Sequence, residues 1–178
     1  MATAGPGAAP VVIYGPAGGY AALRDGLAER GWRALAAEDA GFEWPEPCGL
    51  VGISDGAEAA LRRALDAPET VDVLILIAPT AIRPANGAID SGSAALESRL
   101  HEVQCPTLVV FGQDDATVAP EATSIYRERI PNCSIAFVYD AGHDVAAERP
   151  EALVNLVADY LERRETFIVQ NRSRVINP

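Results

Sequence analysis

Short, continuous runs of Val, Ile and Leu, helical patterns lying between them, and polar residues gathered at one end of the runs predict an α/β fold. The expectation is a three-layer αβα sandwich around a mainly parallel sheet of about six strands. Continuous rather than alternating hydrophobicity means that both faces of each strand are covered, which is how a parallel sheet is built.

The elements follow in order. VVIY at 11–14 offers no polar face to water and is the first strand. Tyr20 to Arg30 carries Leu23 and Leu27 on one stripe and stops at Gly31, a helix with a glycine terminator. RALAA at 33–37 is the second strand. The segment EDAGFEWPEPC, 38–48, is too short and too rich in Gly and Pro for a crossover helix, so strands two and three must connect by another route. GLVGI at 49–53 is the third strand and passes without a loop into a helix from Ala57 to Ala67, which ends before Pro68. VDVLILIA at 71–78 is the fourth strand. The stretch 79–103 is polar and Gly-containing with at most one short helix, Ala94 to Glu102, and a connection of that length is usually functional. TLVVF at 107–111, a helix from Glu121 to Ile130 ending before Pro131, SIAFVY at 134–139, and a helix from Ala147 to Arg164 bearing Leu153, Leu156, Val157, Tyr160 and Leu161 complete the alternation.

A chain of 178 residues is long enough for one good core, so residues 1–165 are expected to form a single domain, with 79–103 as a short lid or loop and 166–178 as a C-terminal tail. No apolar run reaches the ~18 residues needed to cross a membrane. The formal charge is -11, every basic residue is arginine, and no basic stripe exists, which excludes a nucleic-acid or anionic-membrane surface and favours neutral or cationic small molecules. Cys48, Cys105 and Cys133 are odd in number and scattered, so neither a disulfide framework nor a zinc site is expected. His101 and His143 are the only histidines, and neither has a second ligand at metal-binding spacing. No metal and no cofactor are implied. The start MATAGPGAAP has no basic n-region or apolar h-region, and a reducing cytoplasm is the expected location.

The chemistry gathers where ligands bind in such sheets, at the carboxyl ends of the strands. Tyr14-Gly15-Pro16-Ala17-Gly18-Gly19 follows strand one, Ser54 follows strand three, Asp114 and Asp115 follow strand five, and His143 follows strand six. Gly52-Ile53-Ser54-Asp55-Gly56 is a strand that must bend sharply into a helix, with glycines on both sides removing the Cβ atoms that would collide and the serine hydroxyl at the apex. A serine hydroxyl needs a base within reach, and the base needs a carboxylate to hold its tautomer and stabilise its charged form. Serine, carboxylate and histidine appear here in that chain order. Each has a plainer reading: Ser54 as a turn residue, Asp115 as a cap for a helix beginning near Val118, His143 as a loop histidine. His101 reads as surface, Asp144 and Glu148 as helix N-terminal charges, and Phe42 and Trp44 as apolar filling near the site mouth or substrate contacts.

On LVGISDGAEAAL, PTLVVFGQDDATVAPE and YDAGHDVAAERPEAL the sequence resembles the α/β-hydrolases across residues 11–164. That resemblance implies a minimal α/β-hydrolase acting as a serine hydrolase on a small carboxylic ester or thioester. Ser54 would be the nucleophile, His143 the base, and Asp115, fourth in the Gly112-Gln113-Asp114-Asp115 step, the acid, with Asp114 as the fallback. It further implies an oxyanion hole from the backbone N–H of Asp55 together with Ala17 or Gly18, because the residue that relatives use falls on Pro16, which has no N–H. Tyr14, Pro16 and Trp44 would line the substrate. The alternative is a non-hydrolytic protein that keeps the fold and binds a small molecule or assists a biosynthesis. Loss of a covering helix also leaves strand faces to be shielded by the GFEWPEP loop, by the tail or by a second subunit, so a homodimer is among the expectations.

Overall fold

The computed structural model describes residues 10–16, 19–37, 47–82 and 91–164. Six strands form one sheet in the order β2-β1-β3-β4-β5-β6, with every neighbouring pair parallel. They are β1 Val11–Tyr14, β2 Ala34–Ala36, β3 Cys48–Ile53, β4 Val71–Ile77, β5 Thr107–Gly112 and β6 Cys133–Val138. The helices are α1 Ala21–Glu29, α2 Gly56–Asp66, α3 Ser91–Arg99, α4 Glu121–Arg129, α5 Val145–Glu148 and α6 Pro150–Arg163. The expected α/β sandwich is therefore the observed one.

Alternate residues of each strand feed two cores. Val11, Ile13, Val51, Ile75 and Val110 point to one face, where Leu23 and Leu27 of α1 and Leu153, Val157 and Leu161 of α6 cover them. Val12, Leu50, Leu74, Leu76 and Val109 point to the other, beneath Ala57, Ala60, Leu61 and Ala64 of α2 and Tyr126 of α4. The alanines of α2 are small for a reason. A Cβ on Gly52 would stand 2.5 Å from the Cα of Ala57 and 2.9 Å from the Cβ of Ala60, so α2 lies almost on β3 and tolerates no bulk between them.

Two helices differ from the sequence-based expectation. The helix expected over Ala147 to Arg164 is two: α5 is a single turn, Arg149 leaves the helical conformation (φ -136, ψ 56), and Pro150 opens α6. The Arg149 angles are outside the helical region but are not those of a strand: a residue before proline is pushed out of the helical region, and proline itself suits the first helical position. The helix expected over Ala94 to Glu102 starts earlier, at Ser91, and its last turn, Leu100–Glu102, tightens to a 3-10 helix. The connections at 38–46 and 83–90 and the tail from 165, on which the missing-helix, lid and arm expectations fall, lie outside the described residues.

The chain leaves β1 toward β2 on one side and returns to β3 on the other. Order therefore reverses between β1 and β3, and the crevice beyond their carboxyl ends is where an open parallel sheet accepts a ligand. Tyr14, Gly15 and Ser54 stand there.

Candidate active site

The nucleophile elbow is built from backbone strain and missing Cβ atoms. Ser54 has φ 53, a left-handed conformation costing a non-glycine residue about 1 kcal/mol. Its surroundings hold it there: the Ser54 N–H donates to the Ile77 carbonyl of β4 at 2.9 Å, and the Ser54 carbonyl accepts from Ala57 at 3.2 Å and Thr80 at 3.3 Å. Gly56 sits hard against the end of β1, where a Cβ would meet the Tyr14 carbonyl at 2.6 Å and the Gly15 nitrogen at 2.7 Å. Only glycine lets α2 begin this close to the loop after β1.

Strain of this kind puts the hydroxyl at the apex, and the hydroxyl finds a partner. Ser54 Oγ lies 2.8 Å from His143 Nε2, and His143 Nδ1 lies 3.0 Å from Asp115 Oδ2. A carboxylate can only accept, so Nδ1 carries the imidazole proton, and Nε2 is left to accept from the serine hydroxyl. The Asp115 side chain is 4% exposed and His143 is 25% exposed, so the carboxylate is walled off while the imidazole remains reachable from solvent.

Asp115 makes contacts of both kinds that its sequence context suggested. Oδ2 meets His143, while Oδ1 accepts the backbone N–H groups of Thr117 at 2.7 Å and Val118 at 3.2 Å. The capped turn precedes α4, which starts only at Glu121. Asp114 is exposed, and its backbone N–H instead donates to the Ala141 carbonyl at 2.9 Å, tying the acid loop to the histidine loop. Gly112 presses the same two loops together: a Cβ there would lie 1.9 Å from the Gly142 carbonyl oxygen.

The remaining sequence-based candidates are placed as follows. Asp55 is the N-cap of α2, so its backbone N–H stands at the positive end of that helix; its carboxylate accepts from Gly56 at 3.0 Å and is solvent-exposed. Pro16 closes a turn in which its carbonyl accepts from Gly19 at 2.9 Å. The Tyr14 side chain is half-buried among the α2-side core, its phenol pushed up by burial and partly drawn back by the nearby Arg63 guanidinium. Ala17, Gly18, Phe42 and Trp44 lie outside the described residues. A small pocket of about 180 Å³ opens at the end of β1, lined by Ile13, Tyr14, Gly15, Tyr20 and Ala37.

His101 is exposed and contacts only the Ser98 carbonyl in its own helix, at 2.9 Å. Asp144 does cap a helix, accepting from Ala147 at 3.2 Å. Glu148 is the acidic residue of the single turn of α5, as expected of a helix N-terminal charge, and its Oε2 also accepts the Gly142 N–H at 3.0 Å. Among the described residues no group of three or more His, Cys, Asp or Glu is placed to hold a metal ion, and no helix is long and apolar enough to cross a membrane.

No family model matches the chain. It is 28% identical over 151 residues to mouse Protein ABHD14A, covering 71% of this chain and 57% of that one. It is 25% identical over 67 residues to human monoacylglycerol lipase ABHD6, covering 38% of this chain and 20% of that one. The chain thus spans less than two thirds of the length of these curated relatives. Among solved structures, a protein of Thermoplasma acidophilum described as a CIB-like hydrolase superposes with a TM-score of 0.69 at 19% identity, over 91% of this chain and 89% of the other. A strained serine between β3 and α2, a parallel sheet whose order reverses beside it, and these likenesses agree: the chain has the α/β-hydrolase fold.

Proposed function

We propose that the chain is a serine hydrolase that cleaves a small carboxylic ester or thioester through an acyl-enzyme on Ser54. One observation carries the reading: the unbroken hydrogen-bond chain from Ser54 Oγ to His143 Nε2 and from His143 Nδ1 to Asp115 Oδ2, at 2.8 and 3.0 Å. In the proposed reaction His143 Nε2 takes the hydroxyl proton as Oγ attacks the substrate carbonyl. The imidazolium so formed is steadied by Asp115 and gives its proton to the leaving alcohol or thiol. Water then repeats the sequence on the acyl-enzyme, with His143 again the base, and releases the acid.

The tetrahedral oxyanion would be met by the Asp55 N–H at the amino end of α2 and by the N–H of Ala17 or Gly18, each worth about 3 kcal/mol in the transition state. With the Asp55 carboxylate engaged by Gly56 and exposed, its charge need not oppose that oxygen. The curated relative named as a monoacylglycerol lipase supports an ester substrate, and the small pocket after β1 supports a short acyl group.

A second reading, a non-hydrolytic binding protein of the same fold, is favoured by Pro16, which removes one N–H from the loop after β1. Nitrophenyl esters of graded acyl length separate the two. The hydrolase releases nitrophenol, and both Ser54→Ala and His143→Ala lower kcat by ~10³-fold or more. A folded wild-type protein that releases none, with no burst, leaves only the binding reading.

A further inference from the structure

We propose that Glu148 is a positioning residue for His143, its carboxylate folding back from the end of α5 to fix the Gly142 peptide and, through it, the imidazole. The inference rests on the reading of Ser54, His143 and Asp115 as a hydrolytic triad.

The base needs more than its two ring contacts. His143 sits between β6 and α5, in a loop whose direction must be held while a proton moves on and off Nε2. The backbone on either side of it is pinned by carboxylates: Gly142 N–H donates to Glu148 Oε2 at 3.0 Å, and Asp144 caps α5 through Ala147 at 3.2 Å. Behind them, Ala141 accepts from Asp114 of the acid loop at 2.9 Å.

Glu148 reaches Gly142 because two local features make room and direction. A Cβ on residue 142 would lie 3.3 Å from Glu148 Oε1 and 3.7 Å from Oε2, so the glycine is what lets the carboxylate settle over the peptide without crowding. The single turn of α5 at Val145–Glu148 brings Glu148 beside the residue that precedes His143. An ionised acceptor on a backbone N–H makes a stronger bond than a neutral one. Glu148 is exposed, so water competes and the effect on rate is about tenfold rather than the ~10³-fold of a triad member.

Three variants of the full chain test this: Glu148→Ala, Glu148→Gln, which keeps an accepting oxygen, and Ser54→Ala as the dead control. Ester turnover gives kcat and KM, and the far-downfield proton resonance of His143 Nδ1 reports the imidazole's seat independently of turnover. Glu148→Ala should lose about tenfold in kcat at unchanged KM and shift or broaden the Nδ1 proton, while Glu148→Gln restores most of both. Wild-type kcat and an unmoved Nδ1 proton in Glu148→Ala would overturn the inference, as would equal loss in the Gln and Ala variants. If Glu148→Ala melts below the assay temperature, Glu148→Asp, a methylene short of reach, takes its place with the same expectations. A wild type that hydrolyses nothing would sink the hydrolytic reading alone, because the Nδ1 resonance still tells whether Glu148 seats the ring.

Discussion

The α-carbon of Gly112 and the carbonyl of Gly142 are packed so closely that a methyl group on the former would stand 1.9 Å from the oxygen of the latter. The contact joins the loop that bears the acid to the loop that bears the base. Gly112→Ala must therefore move backbone, not a side-chain tip. The expected result is a loss of roughly 1–3 kcal/mol in stability from overpacking. Activity should fall by ~10²-fold, because a displacement of about 1 Å at the imidazole is enough for that. Urea titration and ester kinetics on the same preparation check both halves.

Asp115 divides its two oxygens between structure and chemistry, and conservative substitution separates them. Asp115→Asn keeps an oxygen for the Thr117 and Val118 N–H groups but offers His143 Nδ1 no ionised acceptor. Its melting point should stay near that of wild type while kcat drops by ~10³-fold or more. Asp115→Ala should lose the same activity and also about 1 kcal/mol of stability through the missing cap. Equal activity in Asn and wild type would reduce Asp115 to a turn residue.

Alkaline pH should loosen the fold through its thiols. Burial pushes Cys105 from an ordinary 9.0 up to about 11, and Cys133 up to about 12. The folded chain then keeps protons that the unfolded chain has released. This contribution to stability is whole below about pH 9 and is lost progressively as pH climbs through about 11 and 12. Urea midpoints measured upward from about pH 8 should decline over that window, and the double variant Cys105→Ala, Cys133→Ala should flatten the decline. A native protein at neutral pH should also resist thiol reagents until it is unfolded.

Much of this architecture was legible because burial leaves a strong trace in composition. Strands such as Val71–Ile77 carry apolar residues on both faces, so their class and their parallel pairing follow from the run itself. The juxtaposition of Ser54, Asp115 and His143 was legible because each follows a strand end, and because the Gly52 and Gly56 pair marks a bend that ordinary residues could not make. The contact of Glu148 with the Gly142 N–H was not legible: it depends on the separate turn of α5, and helical periodicity over 147–164 reads straight through the break before Pro150. Tyr14 stands at a strand end, half-buried against the α2-side core and also lining the pocket after β1. The expected contributions of Ala17, Gly18 and Trp44 fall on segments outside the described residues.

The most direct measurement of the central claim is intact-protein mass spectrometry after exposure to a fluorophosphonate, with peptide mapping of any adduct. The account predicts one adduct per chain, located on Ser54, absent from Ser54→Ala and formed far more slowly in His143→Ala. A correctly folded wild type that stays unmodified under conditions that label a known serine hydrolase, or an adduct mapping elsewhere, would contradict it.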